Sequence, residues 1–265
     1  MIGKLKFCNN LDRLNIETIS SFVAKQLSGV AIRDFDVKKC YEQMQWTYNT
    51  KKSSKRLVSL QGKASVYFCR GRGSRFSKFV KSYSNIGTDL PVWLSAGEKQ
   101  RKTIMLVGQD SYREGMDAET FSLCSPWGIH DAVFENVKIK GLVQNLIDSN
   151  FDCVYITDFN KLFFSGVTIG SRHHSYTCYP ERVAAAELEI GDRMLDVFRD
   201  ELNLVKPQEV VFLGKSHAKL MNVQNDVDAI TPFLVPDFLR GIKVKVLKHP
   251  RVASEQYYSR VVKDL

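Results

Sequence analysis

The stretch Thr103-Ile-Met-Leu-Val-Gly108 is a short apolar run that ends in glycine. A run without polar alternation is typical of a strand that is buried on both faces of a parallel sheet. Three further predicted strands follow along the chain: CVYIT (153–157), EVVFLG (209–214) and IKVKVL (242–247). The repeated pattern predicts four strands of one parallel sheet.

Segments with helical periodicity lie between these runs. We predict helices over 131–149 and 181–204, the second broken by Pro207, another starting in KSHAKLMN (215–222), and a C-terminal helix over 253–263. Alternating strands and helices predict an α/β fold with a central four-stranded parallel twisted sheet flanked by helices. Sheets of this kind place their chemistry in the loops beyond the carboxyl ends of the strands.

Residues 1–100 have a different character from residues 101–265. Two amphipathic stretches, 15–28 and 35–48, predict helices, and a turn-rich stretch, SNIGTDLP, ends at Pro91. We therefore expect an N-terminal helical, basic extension (1–100) packed on an α/β domain (101–265).

The charge of the chain favours a polyanionic partner. Its 38 Lys and Arg exceed its 29 Asp and Glu, which gives a formal net charge of +9. Between Lys51 and Lys81 there are ten basic residues and no acidic one, interleaved with aromatic rings. Positive charge combined with flat rings suits a strand of nucleic acid. We assign DNA contact to Arg70, Arg72 and Arg75; a solvated basic loop beside a core strand is the alternative.

Several classes of protein are disfavoured by what the sequence lacks. No apolar run approaches the roughly 18 residues of a membrane span, and the N-terminus has no secretory apolar region. The six cysteines are scattered and form no CxxC pair, which predicts reduced thiols, a cytoplasmic location and no iron–sulfur cluster. There is no nucleotide-binding glycine motif and no cluster with metal-ligand spacing. We therefore expect no cofactor and no metal. A monomer is a separate expectation, which these motifs do not bear on.

Polar and aromatic residues follow the predicted strands. The first strand leads into Gln109, Asp110 and Tyr112, with Phe121 soon after, and the second leads into Asp158. The fourth strand is followed by the sequence His-Pro-Arg at 249–251. A sheet of this type would bring two carboxylates, two rings and a histidine to one edge.

Four short motifs carry a resemblance to a known family. The sequence GQDSY (108–112) resembles the GQDPY motif of uracil-DNA glycosylases, and LKHPR (247–251) resembles their HPS motif. Residues 113–131 resemble the segment that carries the base-stacking Phe, and CVYITD (153–158) occupies the place of the strand that ends in the uracil-recognising Asn. Together with KPQEVVFLGKSHAKLM, these motifs make residues 101–260 similar to the uracil-DNA glycosylase superfamily.

The resemblance implies a monofunctional DNA glycosylase that flips a base and hydrolyses its glycosidic bond. Asp110 would stabilise the cationic sugar and position water, and His249 would donate to O2 of the base. Gln109 would line the base site, Tyr112 would crowd the C5 edge, and Phe121 would stack on the flipped base. Contacts to DNA would come from Arg251, Lys215, Ser216 and Arg172.

One departure from the family concerns the choice of base. Asp158 stands in place of the Asn, and a carboxylate can only accept hydrogen bonds, whereas uracil presents O4, another acceptor. Cytosine presents an amino group there, so Asp158 favours a cytosine-type base. Removing plain cytosine would destroy a host genome, so we hypothesise a hydroxymethylated or glucosylated cytosine of phage DNA, as in the antiphage branch of the superfamily. Ser111 replaces the family Pro, which would let the loop of Tyr112 move away from a C5 substituent.

Two alternatives stay open. If the register is shifted by two residues, Asn160 is the base-recognising residue, and the protein is a uracil-DNA glycosylase of base excision repair. The third hypothesis is a catalytically silent DNA-binding module that kept the fold. The presence of both Asp110 and His249 favours an enzyme.

Overall fold

The structure is a computed structural model, and it describes a subset of the chain. The described residues are 6–7, 85–95, 102–110, 121–129, 137–149, 151–160, 163–169, 172–176, 198–214 and 237–265. The predicted helices at 15–28 and 35–48, the basic segment with Arg70, Arg72 and Arg75, and the helix expected after Gly214 lie outside these residues.

The larger sheet has six strands in the order β1-β3-β6-β4-β9-β10. These strands are β1 (Lys6–Phe7), β3 (Val92–Ser95), β4 (Thr103–Asp110), β6 (Cys153–Asn160), β9 (Glu209–Leu213) and β10 (Lys243–Leu247). The pairs β6–β4, β4–β9 and β9–β10 are parallel, whereas β1–β3 and β3–β6 are antiparallel.

The fold is therefore α/β, as the alternating pattern predicts, but the sheet is larger and mixed rather than four-stranded and parallel. The two antiparallel strands come from the segment that we expected to be a helical extension. Strand β3 reads Val-Trp-Leu-Ser, and its first three residues are buried. This short apolar run extends the sheet because it pairs with the edge of β6 that lies opposite β4. The division of the chain at residue 100 stays a prediction.

A second sheet has four strands in the order β5-β2-β7-β8. Its strands are β2 (Asn85–Asp89), β5 (Phe121–Cys124), β7 (Phe163–Ile169) and β8 (Arg172–Tyr176). Strand β2 lies in the stretch that composition predicts as turn-rich, and that prediction is wrong for its five residues. Asn, Gly and Asp favour turns locally, but β2 is paired on both sides, with β5 and β7, and this pairing overrides the local preference.

Three helices are described beside the larger sheet. Helix α1 spans Val137–Asp148, within the predicted range 131–149. Residues 198–205 form the described part of helix α2, and Lys206 at φ 48° and a buried Pro207 follow it. Helix α3 spans Glu255–Val261, with the Ser254 hydroxyl accepting from the backbone N–H of Tyr257 as an N-cap. Helix α1 packs against α3 and against β6.

The central strands carry the core. In β4, β6 and β9 the apolar side chains are almost completely buried, as the unalternating runs predict. Strand β10 lies at the edge of the sheet, and only Val246 and Leu247 are buried there. No helix within the described ranges is both long and apolar enough to cross a membrane.

Candidate active site

The register of the larger sheet aligns the two residues that were assigned to the chemistry. Val107 pairs with Phe212, and Phe212 pairs with Val246, so the three lie on one line across the sheet. Asp110 is three residues beyond Val107, and His249 is three residues beyond Val246. Strands β4 and β10 are separated by β9, which places them two spacings, about 10 Å, apart. Asp110 is the last residue of β4 and His249 lies two residues beyond the end of β10, so both backbones lie at the carboxyl end of the parallel strands.

The loop that carries His249 is held from several sides. The hydroxyl of Tyr258 donates to the carbonyl of Lys248 at 2.8 Å, and the N–H of Lys248 donates to the hydroxyl of Tyr257 at 3.2 Å. On the other side, Nζ of Lys138 on helix α1 donates to the carbonyl of Pro250 at 3.1 Å. The loop closes on itself, because the N–H groups of Val252 and Ala253 both donate to the carbonyl of His249. These contacts fix the backbone of His249.

Gly214 lies beside the histidine ring. It follows β9 with φ 113°, a conformation that L side chains rarely adopt. A Cβ there would meet Cβ of His249 at 3.4 Å and Cδ2 of its ring at 3.6 Å. These are ordinary van der Waals distances, so the positive φ, and not the space beside His249, is what requires glycine at the end of EVVFLG.

The hydrogen bond at Nδ1 defines the protonation state of His249. The backbone N–H of Arg251 donates to Nδ1 at 3.2 Å. Because an N–H can only donate, Nδ1 carries a lone pair, and the hydrogen of the neutral ring lies on Nε2. Burial lowers the pKa of His249 below its ordinary value, and the positive charge of Arg251 lowers that pKa further. The ring is thus neutral at pH 7, with Nε2 as a hydrogen-bond donor.

Asp158 occupies the space beside Gly108. The two residues are Cα partners in the parallel pair β4–β6, and the side chain of Asp158 is only 3% exposed. A Cβ on Gly108 would overlap Oδ1 of Asp158 and would also meet Cη2 of Trp127 at 2.7 Å. Gly108 is therefore required for a carboxylate and an indole ring to meet at the backbone of β4.

Trp127 is held in an unusual backbone conformation. It lies in the short 3-10 turn Pro126–Gly128 with φ 52° and ψ 19°, the left-handed region. For a bulky residue this conformation is an outlier that costs about 1–3 kcal/mol. Buried Ser125, Pro126 and Ile129 fix the turn on both sides of the half-buried Trp127. We did not assign Trp127 from the sequence, because its position beside Asp158 depends on contact between distant segments.

The opposite face of β6 is anchored to helix α2. The hydroxyls of Tyr155 and Thr157 donate to the same carboxylate oxygen of Glu201, at 2.6 and 2.8 Å. All three residues are completely buried. Since successive residues of a strand point to opposite faces, this anchor directs Asp158 away from α2 and toward Gly108 and Trp127.

Asn160 has a register position of its own. It is the Cα partner of Asp110, two residues beyond the pair of Gly108 and Asp158. Both possible base-recognising residues therefore lie on β6, Asp158 next to Gly108 and Asn160 next to Asp110.

The remaining assigned residues are described less fully. The backbones of Gln109 and Asp110 end β4, that of Phe121 begins β5 opposite Ile86, and that of Arg172 begins β8. Their side chains lie outside the described part of the structure, as do Tyr112, Lys215 and Ser216 entirely. The structure brings the backbones of Asp110, Asp158 and His249 to the carboxyl end of the parallel strands of the larger sheet, whereas Phe121 and Arg172 belong to strands of the second sheet.

The loop after His249 presents charge and apolar surface together. Lys248 and Arg251 are exposed, and Val252 is 75% exposed. Within the described residues, no group of three or more His, Cys, Asp or Glu could hold a metal ion. The carboxyl end of the parallel strands thus presents two exposed cations, an exposed valine, a neutral histidine and a buried carboxylate.

No protein-family model matches the chain, and no curated protein matches it either. The resemblance to uracil-DNA glycosylases therefore depends on the four sequence motifs and stays a prediction.

Proposed function

We propose that this protein is a monofunctional DNA glycosylase, which hydrolyses the bond between a flipped base and its sugar. The observation that carries the proposal is the state of His249: a neutral ring with its hydrogen on Nε2, on a loop fixed by Tyr257, Tyr258 and Lys138. A fixed neutral donor is suited to the negative charge that develops on a departing base.

In the proposed reaction, the C1′–N bond breaks and its electron pair leaves with the base. The sugar then carries positive charge, which the carboxylate of Asp110 stabilises, and Nε2–H of His249 donates to O2 of the base. Water adds to C1′ and loses a proton, the base gains one, and an abasic site remains. The separation of β4 and β10, about two strand spacings, is compatible with one ring between the two residues.

We further propose that the base is a modified cytosine, hydroxymethylated or glucosylated, of phage DNA, so that the enzyme acts in antiviral defence. The buried carboxylate of Asp158 supports this choice, because it accepts from an exocyclic amino group and would oppose O4 of uracil. Arg251 and Lys248 would contact phosphates, and the exposed Val252 would act as an apolar wedge between bases.

Uracil is the second candidate, because Asn160 is the Cα partner of Asp110. An amide can accept from N3–H of uracil and also donate to O4. In that case the enzyme would serve base excision repair, and Asp158 would be a buried neighbour of the site.

One assay distinguishes these functions. Oligonucleotides that carry uracil, cytosine, hydroxymethylcytosine or glucosylated hydroxymethylcytosine at one position are incubated with the full chain, and alkali then cleaves any abasic site. We expect cleavage at a modified cytosine. Cleavage only at uracil would overturn the choice of base. Tight DNA binding with no cleavage of any oligonucleotide would overturn the enzyme and favour the silent DNA-binding module.

A further inference from the structure

The contact between Trp127, Gly108 and Asp158 is not used by the reaction described above. Oδ1 of Asp158 and Cη2 and Cζ2 of Trp127 all lie within 3.0 Å of the point where a Cβ on Gly108 would be. A carboxylate oxygen and the outer edge of an indole ring are therefore neighbours at the end of β4.

The conformation of Trp127 points to a role beyond packing. Its backbone is in the left-handed region, where a tryptophan is disfavoured, and such strain is concentrated at ligand clamps and active sites. Trp127 is partly buried and packs against the hydrophobic core, but it is more exposed than Trp93, which packs edge-on against Tyr155 and is 7% exposed. A strained turn that holds a partly exposed tryptophan beside a buried carboxylate is suited to contact with a flat ligand.

We propose that Trp127 is a specificity-determining residue, which contacts the flipped base and shields the hydrogen bond between Asp158 and the exocyclic amino group of that base. This role rests on the proposed glycosylase function. The ligand class is a flat heteroaromatic ring that carries an amino group. The apolar ring excludes water from one side of the carboxylate, which strengthens its preference for a donor over an acceptor.

The first test measures binding with the cleavage-deficient Asp110→Asn protein, so that the DNA stays intact. One oligonucleotide carries hydroxymethylcytosine, and a second carries a tetrahydrofuran abasic analogue at the same position. We expect Trp127→Ala to weaken binding of the first by about tenfold or more, the loss typical of removing a base-stacking ring. Binding of the second stays unchanged, and Trp127→Phe, which retains a flat ring, recovers part of the loss.

The second test uses tryptophan fluorescence in the same Asp110→Asn background. The hydroxymethylcytosine oligonucleotide should change the emission more than the abasic analogue does. That difference should vanish in Trp127→Phe and persist in Trp93→Phe, a matched change at a buried tryptophan on β3.

Equal losses on both oligonucleotides, or no loss on either, would overturn the role of Trp127. The proposed function fails in a different experiment, if the wild-type protein releases no base from any oligonucleotide. If the wild-type protein releases a base while Trp127→Ala keeps the same affinity and selectivity, the function stands and this inference fails.

Discussion

The backbone N–H of Arg251 donates to Nδ1 of His249, and the guanidinium of the same residue lowers the pKa of that ring. One residue thus acts on the histidine in two ways that a substitution can separate. Replacing its side chain removes the positive charge and keeps the N–H.

We therefore predict that Arg251→Ala shifts the acid limb of the pH–rate profile to higher pH. Burial and the Arg251 charge both lower the pKa of His249. The neutral ring, and the stability that it contributes to the folded protein, are therefore fully present above pH 6.5 and are lost as the pH falls through the lowered pKa. Without the Arg251 charge, the pKa of His249 rises, so the ring becomes protonated and base release falls at a higher pH. Single-turnover rates at a saturating enzyme concentration measure the acid limb of the pH–rate profile without a contribution from DNA affinity.

Lys248→Ala is the matched control for this experiment. It removes an exposed cation next to His249 in sequence, but the charge of Lys248 is not among the causes of the shift in the pKa of His249. An acid limb that stays in place in Arg251→Ala, or moves equally in both variants, would contradict the role of the Arg251 charge.

Asp110→Asn should reduce base release by at least about 100-fold, because a neutral amide cannot stabilise positive charge on the sugar. Alkali cleavage of a hydroxymethylcytosine oligonucleotide measures the rate, and thermal unfolding verifies the fold. Asp237→Asn, on an exposed side chain paired with Arg240, is the control that should keep full activity. Wild-type rates in Asp110→Asn would refute the assignment.

Asp158→Asn should shift the preference between cytosine-type and uracil-type bases toward uracil by about 100-fold, because an amide can donate to O4. The ratio of rates on paired oligonucleotides measures the shift. Asn160→Ala tests the alternative register on the same strand. If it abolishes release of uracil while Asp158→Asn leaves the preference unchanged, Asn160 recognises the base.

Gly108→Ala should destabilise the protein by about 1–3 kcal/mol, since a methyl group would overlap Asp158 and Trp127. It should also reduce base release, because both side chains must move. Gly141→Ala is the counterpart on helix α1, where a Cβ meets nothing within 4 Å. There we expect a gain of about 0.5–1 kcal/mol and unchanged activity. Urea unfolding measures the change in the free energy of unfolding for both variants. If Gly108→Ala leaves that free energy unchanged, the contact of Gly108 with Asp158 and Trp127 is not tight.

The sequence predicted the parallel strands of the larger sheet better than its edges. Strands β4, β6 and β9 each correspond to an apolar run, because burial on both faces removes polar residues from the sequence, whereas β10 lies at the edge of the sheet and alternates lysines with apolar residues. Strand β2 and the second sheet have no such pattern. Asn85, Gly87 and Asp89 favour turns when considered alone, and only their pairing partners, distant in sequence, make them a strand.

The candidate site was likewise predicted from the sequence only in part. The amino-acid sequence by itself determined which chemical groups lie at the carboxyl ends of the strands, including Asp110, Asp158 and His249, although β4 and β6 continue through Asp110 and Asp158 because pairing extends them beyond their apolar runs. Only the tertiary structure decided that Trp127 meets Asp158 across Gly108, that Asn160 pairs with Asp110, and that the ring of His249 is neutral. These relationships depend on register and close contact between distant segments, which residue identity along one chain does not fix.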